Sequence, residues 1–454
     1  MVNSNLSGSY SQTMNSLRRT EELKMKAGYA ITTYKIQLNY KHLDWFKQTQ
    51  SLFDAVLAFY YKLLEKQPEA LSLTNQNLLR HLELQTIKQR DGTPPETPLP
   101  FEKIPLYFRR AAINAAISMY RSYMGKLKAW QEGPIKRGKP SPPKCLHMSM
   151  LYYKGMYKDF DEKSILLKLN TGKTWAWVKH RYTGRPFPEN AELMSPTIVI
   201  KKKKVMLHIP VKEIVEDSRT AKERVQQNEK FVAVALTGSD SLAVCTTIEA
   251  DGRATAPYFI KGGKELAHRR KLLLGYTKRG APKNESSYGQ TVGNDALVIP
   301  QEHRPNKKFY DKITRLTDHY AHEVSRKIVD YAIKQGAKLI VLPELKESFN
   351  QTKKAYLGKT PYDFIGRRIA RYVQYKAWQQ GLVAMTSKPY YASTRCYHCD
   401  APIAKHNTEY QNPSANFYGG KNFVCKEGHR GSTALNSARN LGKGFYERFY
   451  AGAA

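Results

Sequence analysis

Hydrophobic positions change their period several times along the chain, and each change marks an element. Residues 28–40 (GYAITTYKIQLNY) mix β-branched and aromatic residues and predict a strand. Over 41–66 the period lengthens: Trp45, Phe46, Leu52, Phe53, Val56, Leu57, Tyr60, Leu63 and Leu64 recur at helical spacing. A further helix is predicted from LTNQNLLRHLELQTIKQR. After the Pro-rich loop DGTPPETPLP comes a long one in IPLYFRRAAINAAISMYRSYMGKLKAWQEG, with small residues on one side and basic residues elsewhere. Beyond GPIKRGKPSPPK the pattern returns to β. KSILLKLN, TWAWVKHRY and PTIVIKKKKVMLHIPVKE read as strands, the last as a hairpin with a basic tip. The strand at 28–40 can join this sheet, which makes the first half a β-domain interrupted by a helical insertion.

Residues 214–230 are polar, helix-prone and read as a connector. FVAVALTGSDSLAVCTTIEADGRATA then predicts a three-strand meander, with turns at TGSD and ADGR. A basic stretch follows, KELAHRRKLLLGYTKRGAPK, then a long helix over roughly 307–335 and the buried-type strand KLIVLPEL. IGRRIARYVQYKAWQQG predicts an amphipathic helix capped by Gly381, LVAMTSKPYY a strand, and GSTALNSARNLGKGFYERFY a final helix. The order β-β-β-α-β-α-β-α is that of a ribonuclease H-like fold.

Charge narrows the function. Lys plus Arg number 74 against 39 Asp plus Glu, a net +35 that argues against an ordinary metabolic enzyme and for a polyanionic partner, nucleic acid first. Apolar residues are 41% of the chain, too many for a disordered protein. No apolar run is long enough to span a membrane and the N-terminus lacks an apolar signal core, so the expected setting is cytoplasmic, associated with the nucleoid, and without a membrane partner.

Five cysteines in a chain of this length do not form a disulfide framework. Cys396-x2-Cys399 and Cys425-x3-His429 offer two knuckles of soft ligands for tetrahedral zinc, with His398 and His406 as alternatives to His429. Four protein ligands close the coordination, so the expected zinc is structural. Cys145 and Cys245 read as small apolar residues.

In this order, the hairpin IVIKKKKVMLHIPV, the strand FVAVALTG, LIVLPEL, RRIARYVQYKAWQQG, KPYYASTRCYHC and LNSARNL resemble the transposon-encoded TnpB proteins and the compact type V CRISPR effectors related to them. The resemblance covers most of the chain and is specific mainly from about residue 196. It implies an α+β multidomain protein: an N-terminal β-barrel wedge domain with an inserted helical recognition bundle, then a ribonuclease H-like (RuvC) α/β domain with an inserted zinc ribbon. On this chain the boundaries fall at 1–27 for an N-terminal tail, 28–40 plus 145–213 for the barrel and 41–144 for the helical insertion. Residues 214–230 form the linker, 231–394 plus 431–454 the RuvC-like domain and 395–430 the ribbon. The partners implied are a guide RNA and target double-stranded DNA carrying a short flanking motif. A homodimer on one guide also occurs in the family.

The family's nuclease uses three carboxylates that hold two metal ions. The first lies in a pattern like I-D-x-G, and here that position is Leu236. The second lies in I-V-x-E-x-L, where this chain has Pro343. The third lies in D-x-N-A-A-x-N, where it has Ala434. None of these side chains can coordinate magnesium, which demands oxygen ligands, so no catalytic magnesium is expected. Glu344 and Asp240 are the nearest carboxylates.

The expectation is therefore an RNA-guided DNA-binding protein without nuclease activity. It would act by occupancy, blocking transcription or replication, or by recruiting a transposition or transcription factor. Two other readings stand beside it: a guided endonuclease with relocated carboxylates, and a plain nucleic-acid-binding protein without a guide. Candidate nucleic-acid contacts are Lys201, Lys202, Lys203, Lys204, Arg269, Arg270, Lys271, Arg367 and Arg368, with Tyr390 and Tyr391 as candidate stacking residues.

Overall fold

The structure, a computed structural model, describes residues 28–89, 92–133, 138–143, 145–161, 163–189, 191–238, 240–279, 306–345, 365–389, 391–406 and 420–451. The expected tail at 1–27 and Tyr390 lie outside these residues. The chain divides into two compact units, residues 31–214 and residues 1–30 with 215–454.

The 31–214 unit is built on β1 (Tyr29–Leu38), which leads into three helices, α1 (Leu43–Lys66), α2 (Asn75–Thr86) and α3 (Leu106–Glu132). The strands β2 (Met150–Leu151), β3 (Tyr157–Lys158), β4 (Ser164–Asn170), β5 (Trp175–Thr183), β6 (Glu192–Leu193), β7 (Thr197–Lys201) and β8 (Lys204–Ile214) follow. They join β1 in an eight-stranded sheet of order β2-β7-β8-β1-β5-β4-β3, with β6 on β8. The strand read at 28–40 is thus central to a sheet whose other members come more than a hundred residues later. One core serves sheet and helices: Phe46, Phe53, Leu57, Phe108 and Ala112 bury with Ile36, Leu38, Ile165 and Leu207. α3 brings Ala111, Ala112, Ala115 and Ala116 to its buried side, and these small residues let it approach its neighbours closely. Among the described residues the sheet is curled and its end strands β2 and β3 do not pair with each other, a partial form of the expected barrel. Its end strands β2 and β3 are two residues long and have too few backbone groups for a closing ladder.

The second unit begins with α4 (Ala221–Gln226), introduced by a capping box between Thr220 and Glu223. Then come β9 (Phe231–Leu236), β10 (Ser241–Ile248), β11 (Ala254–Lys261), α5 (Gly263–Arg279), α6 (Lys307–Lys334), β12 (Leu339–Pro343), α7 (Gly366–Gln379) and β13 (Val383–Ser387). A small antiparallel sheet of β14 (Ile403–His406), β15 (Asn422–Cys425) and β16 (Arg430–Ser432) precedes the last helix, α8 (Thr433–Phe449). The main sheet has the order β11-β10-β9-β12-β13. β9 is antiparallel to β10 and parallel to β12, and β12 is parallel to β13. This arrangement is consistent with the ribonuclease H-like expectation.

Period-two alternation sorts the central strands between two faces. Val232, Val234, Ile340 and Leu342 pack on α6 and α7, while Phe231, Ala233, Leu339 and Val341 pack on α8. Gly442 lets α8 sit close, since a Cβ there would meet Ile248 Cδ1 at 2.6 Å and Ala233 Cβ at 3.1 Å. The basic stretch after the meander is the helix α5, which the expected element order lacks. Its buried stripe holds Leu266, Arg270 and Thr277, so an arginine and a threonine stand where an apolar period would have revealed it.

Candidate functional site

At the carboxyl end of the main sheet, β9 runs out at Leu236 and the parallel β12 at Pro343. The ladder pairs Leu339 with Phe231 and Val341 with Ala233, so the two strand ends are neighbours. α8 runs antiparallel to β9: Gly442 lies over Ala233, and the Phe445 ring lies 5.1 Å from that of Phe231. From Gly442 back to Ala434 is about 12 Å of helix, and from Ala233 to Leu236 about 10 Å of strand. The start of α8 therefore reaches the same end of the sheet as Leu236 and Pro343. The three positions lie at the same end of the sheet and hold Leu, Pro and Ala, but by register Pro343 stands opposite Ala235 on the α8 face, whereas Leu236 faces α6 and α7.

The carboxylates nearby are differently engaged. Asp240, in the turn after β9, accepts from Lys421 Nζ at 2.7 Å and pairs with Lys264 Nζ at 3.5 Å. The hydrogen bond from Lys421, with Lys264 beside it, holds its carboxyl below the usual range. Glu344 is exposed just beyond β12, and its N–H donates to Ser387 O at 2.8 Å. Continuing the register by three residues sets Glu344 opposite Leu236. By strand parity it then lies on the same side of the sheet as Leu236, which packs towards α6 and α7.

The cysteine cluster is compact. Ligand atoms of Cys396, Cys399, Cys425 and His429 all lie within 4.8 Å of one another. Cys399 Sγ is 3.6 Å from Cys425 Sγ, and Cys425 Sγ is 3.4 Å from His429 Nδ1. A tetrahedron of Zn–S bonds of about 2.3 Å has sulfur–sulfur edges of about 3.8 Å, so the four groups fit a zinc ion. Burial opposes ionisation of Cys425, but hydrogen bonds with Cys399 and His429 outweigh it and draw the thiol down to about 7. Cys399, despite the Ala401 N–H that favours its thiolate, is raised to about 11 by burial and by its two cysteine neighbours. The pair shares protons that a metal would displace. His398 stacks on His429 at 5.0 Å and is a neighbour of the cluster, not a member.

Two asparagines of LNSARNL fasten this ribbon, a role the sequence reading did not assign. Asn436, 3% exposed, accepts from Tyr397 N at 2.9 Å and donates to Arg395 O at 2.7 Å. Asn440 donates to the same Arg395 carbonyl at 2.7 Å and to Ala392 O at 3.2 Å. An asparagine can satisfy two backbone groups at once, which explains the residue type at the helix–ribbon junction.

The nominated contacts divide. Lys201 and Lys204 pair across the tip of the β7–β8 hairpin, with Lys202 and Lys203 in the turn, and all four are exposed. Arg269 and Lys271 are exposed on α5, with Arg269 bound to Glu265 at 2.6 Å. Arg270 is only 5% exposed, contrary to its nomination as a surface contact, because it occupies the buried stripe of α5. Arg367 is half-buried, and Arg368 pairs with Asp318 at 2.9 Å. Tyr391 is 65% exposed, with the Arg395 guanidinium 4.7 Å from its ring centre. No helix among the described residues is long and apolar enough to cross a membrane.

The Aq_aa04 family matches residues 30–171. Over 139 residues the chain is 30% identical to the CRISPR-associated endodeoxyribonuclease Cas12f1 of Sulfoacidibacillus thermotolerans. That match spans 30% of this chain and 29% of the relative, under a third of either. In structure the chain is similar to a Cas12f1–sgRNA–target DNA complex at 14% identity and a TM-score of 0.49, covering 91% of this chain and 99% of that one. It is also similar to Alicyclobacillus acidoterrestris C2c1 in complex with single-guide RNA, at 11% identity and a TM-score of 0.47, covering 89% and 70%. The chain thus carries weak sequence similarity and a coarse structural similarity to type V CRISPR effectors.

Proposed function

We propose that this protein is an RNA-guided DNA-binding protein that holds its target without cutting it. Binding of guide and target is supported by the +35 charge and by the sequence similarity to Cas12f1. Base pairing would read the target, and the protein would hold the heteroduplex by its backbone. The observation that supports binding without cutting is the make-up of the sheet end. Leu236, Pro343 and Ala434 all lie at that end, and none offers a side-chain oxygen to a hard cation. The output is then occupancy of the target, or recruitment of a transposition or transcription factor.

Two observations favour a second reading, a guided endonuclease with relocated carboxylates. The curated relative is an endodeoxyribonuclease, and the register puts Glu344 on the side of Leu236. On that reading Glu344 and Asp240 would hold the metal, with Asp240 freed from its pairs with Lys264 and Lys421.

The test is to purify the full chain with its native locus, sequence the RNA that accompanies it, and offer a matched duplex with magnesium. A single abundant RNA with a constant scaffold and a variable end, tight duplex binding and intact DNA are expected. Cleavage that disappears in Glu344→Ala would establish the second reading. Heterogeneous RNA, or none, would overturn guidance altogether.

A further inference from the structure

β5 directs its side chains alternately to two faces. His180 is buried, while Trp177, Lys179 and Arg181 are exposed on the other side. Cross-strand partners carry that face over two more strands. Lys168 of β4 lies opposite Trp177, Leu166 lies opposite Lys179, and Lys158 of β3 lies opposite Leu166. Trp177 is 38% exposed, with Lys158 Nζ 4.7 Å and Lys168 Nζ 5.8 Å from its ring centre. Lys179 and Arg181 also line a cleft of about 1500 Å³ shared with Lys41, His42 and Trp45. Lys179 feels the carboxylate of Asp161, which lines the cleft beside it. There the His42 and Trp45 rings stack at 4.3 Å.

The arrangement has two separable parts. A row of cations attracts any phosphate backbone, duplex or single. An exposed indole adds a surface that only an unpaired base can cover, because the bases of a duplex are already stacked on one another. The sequence hides this face, since TWAWVKHRY reads as an ordinary strand until the register shows which residues share a side.

We propose that the outer face of β3, β4 and β5 is a platform for single-stranded nucleic acid. Trp177 stacks on one unpaired base, and Lys158 and Lys168 meet the phosphates beside it. Lys179 and Arg181 lead the strand into the cleft. The platform requires no guide and no cleavage, so it stands or falls apart from the proposed function.

The test uses the full chain freed of co-purified RNA. Its affinities are measured for a short oligouridylate, an oligothymidylate of equal length and a duplex of that length. Trp177→Ala is expected to weaken single-strand binding about tenfold and to leave duplex binding within about twofold, whereas Trp177→Phe keeps most of the affinity. Lys158→Gln with Lys168→Gln is expected to lower the salt slope for the single strand by about 1.4. The stronger of the RNA and DNA arms identifies the strand. Unchanged single-strand binding in Trp177→Ala overturns the proposal, as does an equal loss for single strand and duplex. Should the alanine variant melt early, photocrosslinking of a thiouridine strand to wild-type protein decides, and absence of β5 from the crosslinked peptides overturns it.

Discussion

At the scale of single residues, the most consequential one in the second unit is a charge that the sequence gives no reason to bury. Arg224 lies in a polar stretch that reads as a solvated connector, yet it is 0% exposed. It donates to the carbonyls of Gly381 at 2.9 Å, Asp217 and Arg219 at 3.1 Å and Lys338 at 3.3 Å, and it pairs with Asp217 at 3.1 Å. Periodicity reports apolar residues and is blind to a buried guanidinium, whereas the capping box that starts α4 was open to reading. Arg224→Ala is expected to destabilise this unit by about 3–5 kcal/mol, because it removes the donor to several carbonyls in the protein interior and one of the two guanidinium groups that hold Asp217. Urea titration followed by circular dichroism measures this, and a loss below about 1 kcal/mol would contradict the assigned role. The same cluster sets an acid response. Asp217 titrates at about 2, chiefly because Arg219 donates two hydrogen bonds to its carboxylate. An unfolded Asp titrates near 3.9. The folded value is the lower, so its stabilisation is complete above about pH 3.9 and is lost as the pH falls through about 2. Asp217→Asn should therefore flatten the acid limb of a melting-temperature profile within that window while lowering stability at neutral pH.

Among the elements, the ribbon was the most legible and α5 the least. Two pairs of ligands at short spacing announce a metal site whatever surrounds them, because coordination fixes local spacing. The sequence left His398 and His406 open as substitutes for His429, and the fourth ligand atom in the cluster is that of His429. Metal analysis of the full chain is expected to find about one zinc, lost in Cys396→Ser, Cys399→Ser, Cys425→Ser and His429→Ala and retained in His398→Ala and His406→Ala. Retention of zinc in His429→Ala would reopen the assignment. Ser432 caps α8, and Asn436 and Asn440 tie that helix to residues 392–397. Loss of zinc should for this reason also expose the amides around Arg395 to hydrogen exchange. The long strands of the two larger sheets could be read from composition, but the two-residue strands β2, β3 and β6 and the order of the strands could not. β1 finds its neighbours across a helical insertion of about a hundred residues, and only the packed core selects that pairing.

For the molecule as a whole, charge is the property that sequence states most directly and structure refines. A net +35 is a long-range quantity, insensitive to which side chain turns where. Its distribution decides what it can hold. The four lysines of the β7–β8 tip project together from one turn, whereas Arg270 is spent inside α5 and Arg368 is partly neutralised by Asp318. Sequence counted these cations alike, because burial and pairing are tertiary facts. A protein with this excess that holds guide and target by their backbones should make at least 6–10 phosphate contacts. Its affinity for a matched duplex should then fall about 10³–10⁵-fold between about 50 and 200 mM salt. Lys201→Gln, Lys202→Gln, Lys203→Gln and Lys204→Gln combined should reduce the slope of log affinity against log salt by up to about four, with the melting temperature unchanged, since all four are exposed. Arg270→Gln should behave in the opposite way, lowering the melting temperature and leaving the slope alone. If the quadruple variant keeps the full slope, the hairpin lies away from the bound strand, and the phosphates are met by other cations such as those of α5 and β5.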